Sequence, residues 1–233
     1  MMMMSVAQKL NKSVYFDILG VVIVFISAYF SGFLFNDLTT TIIGNQWWAK
    51  YVPFGLISAL SSSLSLMSTR LVGKNKNSGN VIGVISTVVS GTIDYLLGNM
   101  GAIFTYPISF VVNWLSVHQW KNYQGKINHL VNKWLLAILV VGAFVVGFGL
   151  NYLAFRGQVN AIFYLASLTF SLSLTANVLN VLKIKEEWGF WIIYNFAQLA
   201  KAIVQGNFAN VGKYIYYLFN GGFAFVVWQD QEQ

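Results

Sequence analysis

The feature that most constrains this chain is a succession of long apolar runs separated by short polar segments. A helix that crosses a membrane needs about 20 consecutive, mostly apolar residues. Eight runs approach or reach this length, at residues 14–35, 51–71, 81–97, 102–120, 134–155, 161–182, 188–204 and 211–228. The third and the seventh are short and carry polar residues. They are still counted as spans, because the runs on either side of them are predicted to cross the membrane. The pattern predicts an all-α integral membrane protein with eight transmembrane helices.

The composition supports this prediction. Hydrophobic residues make up 57% of the chain and charged residues only 9%, whereas soluble domains are about 25% charged. A soluble fold of 233 residues could not bury so much apolar surface, and a bilayer absorbs the excess. The chain has no cysteine, which excludes disulfides and thiol catalysis.

The basic residues fall on alternate segments between the runs. If the N-terminus is cytoplasmic, the segments on the same side hold ten cations: Lys9, Lys12, Arg70, Lys74, Lys76, Lys121, Lys126, Lys133, Lys183 and Lys185. The segments on the other side hold only Lys50 and Arg156. Because cytoplasmic loops carry the excess of lysine and arginine, both termini are predicted to be cytoplasmic. The net charge of +7 is therefore interpreted as the result of membrane topology, with the lipid bilayer as the partner, and not as a sign of nucleic-acid binding.

An internal repeat appears when the chain is shifted by 108 residues. Residues 63–66 and 171–174 then both read SLSL, and the aligned pairs include Gly98-Asn99 with Gly206-Asn207, Tyr106 with Tyr214, and Trp120 with Trp228. Each copy holds three spans and one span separates the copies, so both copies have the same orientation. This 3+1+3 parallel repeat, preceded by one extra helix, is a type found in secondary transporters.

The repeat divides the chain into four parts. Residues 1–50 are predicted to hold an N-terminal tail, the extra transmembrane helix and a loop. Residues 51–120 form the first three-helix bundle, and residues 121–160 form a linker with the connecting helix. Residues 161–233 form the second three-helix bundle and the C-terminal tail.

The seventh span carries a polar and aromatic stripe. Trp188, Trp191, Asn195 and Gln198 fall within about 80° of one another at about 100° per residue. Indole faces that stack and amides that donate and accept hydrogen bonds suit a flat, polar ligand. Two alternatives stay open: Trp188 is an interfacial anchor, or the amides hold helices together.

Polar residues of other spans are predicted to face the same central site, since a polar group in a span avoids lipid. They are Thr87, Ser90, Asn113, Gln119, Tyr217 and Asn220. Asp94 and Lys201 are predicted either to form a salt bridge or to contact the ligand. Lys213 is expected to extend its ammonium group to the membrane surface.

The sequence lacks the signatures of chemical catalysis. It has no G-x-x-x-x-G-K-[ST] loop and no H-E-x-x-H or comparable metal cluster, so neither ATP hydrolysis by that route nor a metal site is predicted. No G-x-S-x-G motif with a histidine partner is present, which disfavours a membrane serine hydrolase. The chain is predicted not to be an enzyme and to use no cofactor. A membrane enzyme is the less favoured alternative.

The motif Trp188-x-x-Trp191-x-x-x-Asn195 resembles the W-x-x-W-x-x-x-N signature of PnuC-type transporters of nicotinamide riboside (vitamin B3). The 3+1+3 layout with its preceding helix and the aromatic last span are also similar to that family. The likeness covers residues 51–228. The first copy departs from the motif, with Asn80, Gly83 and Thr87 at the matching positions.

The resemblance implies a SWEET-like fold, a homotrimer and a location in the bacterial inner membrane. It also implies facilitated diffusion of nicotinamide riboside, which a cytoplasmic kinase then traps, and alternating access around a central site. Related members of the family carry thiamine, riboflavin or deoxynucleosides, so uptake of another vitamin or nucleoside is the main alternative.

Overall fold

The computed structural model describes residues 2–122, 126–128 and 132–230. Within these ranges the chain is all-helical, without a β-strand beyond one isolated bridge between Asn128 and Ile184. The helices are α1 (Met2–Lys12), α2 (Val14–Phe30), α3 (Phe54–Gly73), α4 (Ser78–Leu96), α5 (Ala102–Gln119), α6 (Lys133–Ala154), α7 (Ala161–Val181), α8 (Glu187–Val204) and α9 (Phe208–Asp230). Short 3-10 turns lie between α2 and α3.

The eight predicted runs correspond to α2 through α9, and the N-terminal part needs two corrections. The run predicted at 14–35 ends as a helix at Phe30, since Gly32 adopts a φ of 76°, which glycine tolerates and a helix does not. The predicted polar tail contains α1, which meets α2 at a bend of 71°. This helix has no apolar run, and it is held by packing on α9.

The individual helices differ in apolar length. By length and composition alone, α4, α6 and α7 could each cross a membrane, and the bent pair α1–α2 adds a fourth span if it is counted as one. The remaining long helices carry buried polar side chains, for example Ser58, Ser62 and Arg70 on α3. Such residues lower the apolarity of a helix without exposing polar groups to lipid.

Apolar and polar side chains are distributed between the surface and the interior as in an integral membrane protein. Large apolar side chains are exposed along the outer faces, for example Ile138, Val141 and Val145 on α6. Polar side chains such as Asn151 and Ser171 are completely buried. This arrangement suits lipid outside and polar groups that satisfy one another inside.

Six helices form a closed ring. α3, α4 and α5 pack in sequence, as do α7, α8 and α9. We call α3–α5 the first triplet and α7–α9 the second. Contacts between α5 and α7 and between α9 and α3 form the two seams that join the triplets. α2 packs on α3 and α9, and α6 packs on α7 and α5. Each seam between the triplets is therefore covered by one further helix.

Two tryptophans close the seams in the same manner. The indole nitrogen of Trp120 donates to the main-chain oxygen of Asn180 at 2.7 Å, and that of Trp228 donates to the main-chain oxygen of Gly73 at 3.2 Å. The last helix of each triplet thus caps the first helix of the other. The two indole rings meet with centroids 6.2 Å apart.

The two Gly-Asn turns also have the same conformation. Gly98 and Gly206 adopt φ angles of 91° and 65°, in the left-handed region that glycine occupies at no steric cost. The asparagines that follow, Asn99 and Asn207, are buried. Asn207 exchanges hydrogen bonds with Ser58 across the α3–α9 seam.

Arg70 on α3 is completely buried and joins four helices. Its Nε donates to Asp17 Oδ1 of α2 at 2.5 Å, and its Nη1 donates to Asn220 Oδ1 of α9 at 2.6 Å. Its Nη2 donates to the main-chain oxygen of Asn11 in α1 at 2.7 Å. Lys74 contributes a second ion pair to Asp17.

Two of the ten basic residues that the sequence assigned to one side of the membrane are buried. Arg70 is 0% exposed and Lys183 is 2% exposed, so neither is a loop charge in contact with solvent. The Lys183 ammonium lies 4.7 Å from the ring centroid of Trp120, and burial lowers the pKa of this lysine. Two of the ten cations therefore contribute little to the surface charge bias.

We predict that Asp17→Leu lowers the free energy of unfolding by about 3 kcal/mol, because it leaves the Arg70 guanidinium buried without its counter-ion. The measurement is denaturant or thermal unfolding of the purified protein in detergent. The matched control is the double variant Asp17→Leu with Arg70→Met, which removes both charges and should recover most of the loss. Equal stability of the single variant and the wild type would contradict this account.

Candidate functional site

A cavity of about 180 Å³ lies between the two triplets. All six helices of the ring contribute to its wall, and most of the lining side chains are polar or aromatic. A polar cavity inside a ring with an apolar outer face is where a water-soluble ligand would reside within a membrane protein.

Nine of the ten predicted site residues line this cavity: Trp188, Trp191, Asn195, Gln198, Thr87, Ser90, Asn113, Tyr217 and Asn220. Gln119 does not. It is exposed at the last residue of α5, where its Oε1 accepts a hydrogen bond from Asn122 at 3.1 Å. Six residues separate it from Asn113, which turns it about 120° away at about 100° per residue.

The two tryptophans of α8 occupy different surroundings. Trp188 is 1% exposed and packs edge-on against Trp228, with centroids 5.6 Å apart. This burial is inconsistent with the alternative that Trp188 anchors the protein at the interface. Its indole nitrogen has no hydrogen-bond partner among the described residues. Trp191 packs edge-on against Tyr194, with centroids 5.1 Å apart.

The amides of α8 use their nitrogens within the protein. Asn195 Nδ2 donates to the main-chain oxygen of Tyr217 at 3.3 Å, and Gln198 Nε2 donates to the Tyr194 hydroxyl at 2.8 Å. Asn220 is oriented the other way. Arg70 donates to its Oδ1, while its Nδ2 has no partner among the described residues. The amide nitrogens of Asn195 and Gln198 are thus engaged within the protein, whereas that of Asn220 is buried without a partner among the described residues.

Asp94 is the centre of a hydrogen-bond cluster at the end of the cavity near the two Gly-Asn turns. Its carboxylate accepts from Lys201 Nζ at 2.7 Å, Gln205 Nε2 at 2.7 Å, Asn99 Nδ2 at 2.7 Å and the Tyr106 hydroxyl at 3.0 Å. Two roles were predicted for Asp94 and Lys201, a salt bridge or contact with the ligand, and in the structure the two side chains form the salt bridge. This bridge links α4 to α8, and therefore joins the two triplets.

Lys213 does not reach the membrane surface, contrary to the expectation from the sequence. It is 3% exposed and lines the cavity. Its ammonium lies 4.5 Å from the ring centroid of Tyr214 and 5.9 Å from that of Tyr217. The aromatic faces of its own helix hold the side chain inward, since a cation is attracted to the face of a ring.

The wall that α7 contributes was not predicted from the sequence. Thr169, Ser173, Asn177 and Asn180 line the cavity at spacings of four, four and three residues, which is the helical periodicity of one face. The same test that identified the stripe on α8 would have found them. Serine and threonine also occur on the other faces of α7, so this polar face does not stand out in the sequence.

Positions related by the 108-residue shift face the cavity in both triplets. Thr87 and Asn195 both line it, as do Ser90 and Gln198, and Tyr106 and Tyr214. The side chains differ in size between the copies. Asn80, Gly83 and Ser86 of α4 stand where α8 has Trp188, Trp191 and Tyr194. One side of the cavity is therefore open and polar, and the other side is aromatic.

The comparisons with known proteins agree with this architecture. The crystal structure described as that of the vitamin B3 transporter PnuC superposes with a TM-score of 0.68, at 21% identity, over 94% of this chain and 92% of that chain. The nicotinamide riboside transporter PnuC of Neisseria mucosa is 23% identical over 194 residues, which cover 76% of this chain and 73% of the relative.

The family is established by its sequence model. The model described as nicotinamide mononucleotide transporter matches residues 55–230. This match begins at the second residue of α3 and extends to the last residue of α9, so it includes both triplets and the cavity between them. The chain belongs to the nicotinamide mononucleotide transporter family.

Proposed function

We propose that this protein carries nicotinamide riboside across the bacterial inner membrane by facilitated diffusion. The observation that carries the proposal is the polar cavity enclosed between two helix triplets, with aromatic rings on one side and small polar groups on the other. The names of the two relatives, a nicotinamide riboside transporter and a vitamin B3 transporter, support the choice of substrate.

The chemistry of the wall matches this substrate. The pyridinium ring of nicotinamide riboside is flat and cationic, and Trp191 and Tyr194 offer ring faces and edges for it. The oxygens of Asn195 and Gln198 accept from the carboxamide N–H groups or the ribose hydroxyls.

The proposal includes the membrane topology. The helices α2 to α9 are the eight transmembrane helices, and both termini are cytoplasmic. Residues 51–120 and 161–233 form the two bundles, with 121–160 as the connecting part and 1–50 as the N-terminal part, although residues 1, 123–125, 129–131 and 231–233 lie outside those described. The shared cavity positions and the matching Gly-Asn turns of the two triplets support a SWEET-like parallel repeat.

The proposed mechanism is alternating access, in which the two triplets rock about the central site. The cavity residues bind the substrate without chemical change, so the protein acts as a transporter and not as an enzyme. The assembly proposed is a homotrimer, which light scattering of the detergent-solubilised protein would test against a monomer or a dimer.

The experiment that tests the substrate is calorimetric titration of the purified protein. Nicotinamide riboside is expected to bind, and thiamine, riboflavin and deoxynucleosides are expected to bind more weakly by at least an order of magnitude, because none offers both the small pyridinium ring and the carboxamide. Tighter binding of one of the other compounds would contradict the proposed substrate but would leave the proposed transport function in place.

We predict that Trp191→Ala and Asn195→Leu each weaken binding of nicotinamide riboside by about fivefold or more, since each removes one contact worth about 1 kcal/mol or more. The measurement is the dissociation constant from calorimetry. The matched control is Phe196→Ala on the same helix, because Phe196 is 61% exposed on the outer face. Unchanged affinity in both cavity variants would contradict the proposed site.

A crosslink across one seam tests the mechanism. The side chains of Ser58 and Asn207 approach within 3.1 Å across the α3–α9 seam, and the chain has no native cysteine. We predict that oxidation of the Ser58→Cys/Asn207→Cys variant abolishes uptake into proteoliposomes and that reduction restores it, because the triplets can no longer separate. Uptake that persists after complete oxidation would favour a channel.

A further inference from the structure

The end of the cavity opposite the two Gly-Asn turns is closed by a layer of packed side chains. Val72 and Trp188 line the cavity there, and both belong to a buried apolar cluster that also contains Trp120 and Trp228. Ala7 of α1 belongs to the same cluster but does not line the cavity. Helix α1 therefore packs behind the layer that closes this end, which faces the cytoplasm in the proposed topology.

One face of α1 is turned toward the ring of helices. Ala7 and Asn11 are four residues apart, so they lie on the same side of the helix. They are 3% and 4% exposed, whereas Lys9 is on the exposed side. A helix of 11 residues gains little stability by itself in water. The contacts of this buried face therefore hold α1 in place.

Helix α1 connects the two triplets at this end. Asn11 Nδ2 donates to the main-chain oxygen of Gly73 in α3 at 3.0 Å, and the same oxygen accepts from Trp228 of α9. Arg70 of α3 donates to the main-chain oxygens of Leu10 and Asn11 at 3.1 Å and 2.7 Å. These oxygens belong to the last turn of α1, which has no partners within the helix and favours a cation. Because α1 also packs on α9, it bridges the α3–α9 seam.

A single residue joins α1 to α2. Ser13 has an extended conformation, with φ −70° and ψ 128°, and the helix axes on its two sides differ by 71°. Its hydroxyl accepts from the main-chain nitrogen of Phe16 at 3.3 Å, so α2 has its own N-terminal cap. Residues at the ends of helices absorb the backbone changes of hinge motions. A rotation at Ser13 would move α1 while α2 stays packed on α3 and α9.

We propose that α1 is a latch that holds the cavity closed at this end and moves away from the tryptophan residues before the substrate leaves. The inference rests on the proposed function, because rocking of the triplets is the motion that the latch restrains. Opening the α3–α9 seam here breaks the bond between Trp228 and the Gly73 oxygen. It also requires α1 to release either α9 or the end of α3.

The experiment measures the access of a membrane-impermeant thiol reagent to one cysteine in the cavity. The parent protein carries Ser173→Cys, which lines the cavity on α7 in a chain without native cysteine. Labelling is followed without ligand in membrane vesicles, with the reagent on the face that bears α1. Ala7→Glu places a carboxylate against the tryptophan rings, and Asn11→Ala removes the bond to Gly73. Each should accelerate labelling about fivefold or more, because the loss of one hydrogen bond shifts an equilibrium by that factor.

Two controls separate the latch from general loosening of the fold. Lys9→Glu places the same carboxylate on the exposed side of α1 and should leave the labelling rate unchanged. A Cβ added at Gly73 would lie 3.6 Å from the Cβ of Ala224 on α9, which suits a disulfide. The Gly73→Cys/Ala224→Cys disulfide, formed before labelling in the Ala7→Glu variant, should return the rate to that of the parent, since it holds the seam closed.

Thermal melting checks that each variant is folded, and Asn11→Ala keeps the test available if Ala7→Glu does not fold. Labelling of the folded α1 variants within about twofold of the parent rate, less than the loss of one hydrogen bond produces, would overturn the latch. Equal acceleration by Lys9→Glu, or from the opposite membrane face, would also overturn it. Labelling needs no ligand, so failure of the latch is distinguished from failure of the proposed substrate, which calorimetry tests separately.

Discussion

The organisation of this protein depends on one constraint: within a bilayer, polar groups must be satisfied by other protein groups or by water in a cavity. Apolar side chains therefore cover the outer faces of the helices, and the serines, threonines and asparagines turn inward. Across the α3–α9 seam they bond to one another, as Ser62 does to Asn210 at 2.8 Å. Where the helices diverge, the same residue types form the wall of the cavity.

Two buried ionic groups join parts of the chain that are far apart in sequence. Arg70 ties α1 and α2 to α9 and holds the Asn220 amide with its oxygen toward the guanidinium. The N-terminal helices thereby influence a side chain in the cavity wall. Asp94 and Lys201 join α4 to α8 near the Gly-Asn turns. Rocking of the triplets, as proposed, requires the Asp94–Lys201 contact to break or to pivot.

The two triplets share several corresponding features and differ in their cavity side chains. The turns, the terminal tryptophans and the lining positions correspond, yet one copy supplies Gly83 where the other supplies Trp191. A symmetric wall would suit a symmetric ligand. An aromatic side opposite an open side leaves room for one flat ring, which fits the asymmetric substrate proposed here.

The sequence by itself determined the helices, their order and most of the cavity face of α8, because apolar length and helical periodicity are local properties. It could not determine the fate of Arg70, Lys183 and Lys213, since a lysine or arginine near the end of an apolar run fits a loop or the interior equally well. Only the tertiary structure decided that all three are buried. The placement of Gln119 outside the cavity and the packing of α1 on α9 likewise depend on contacts between distant helices.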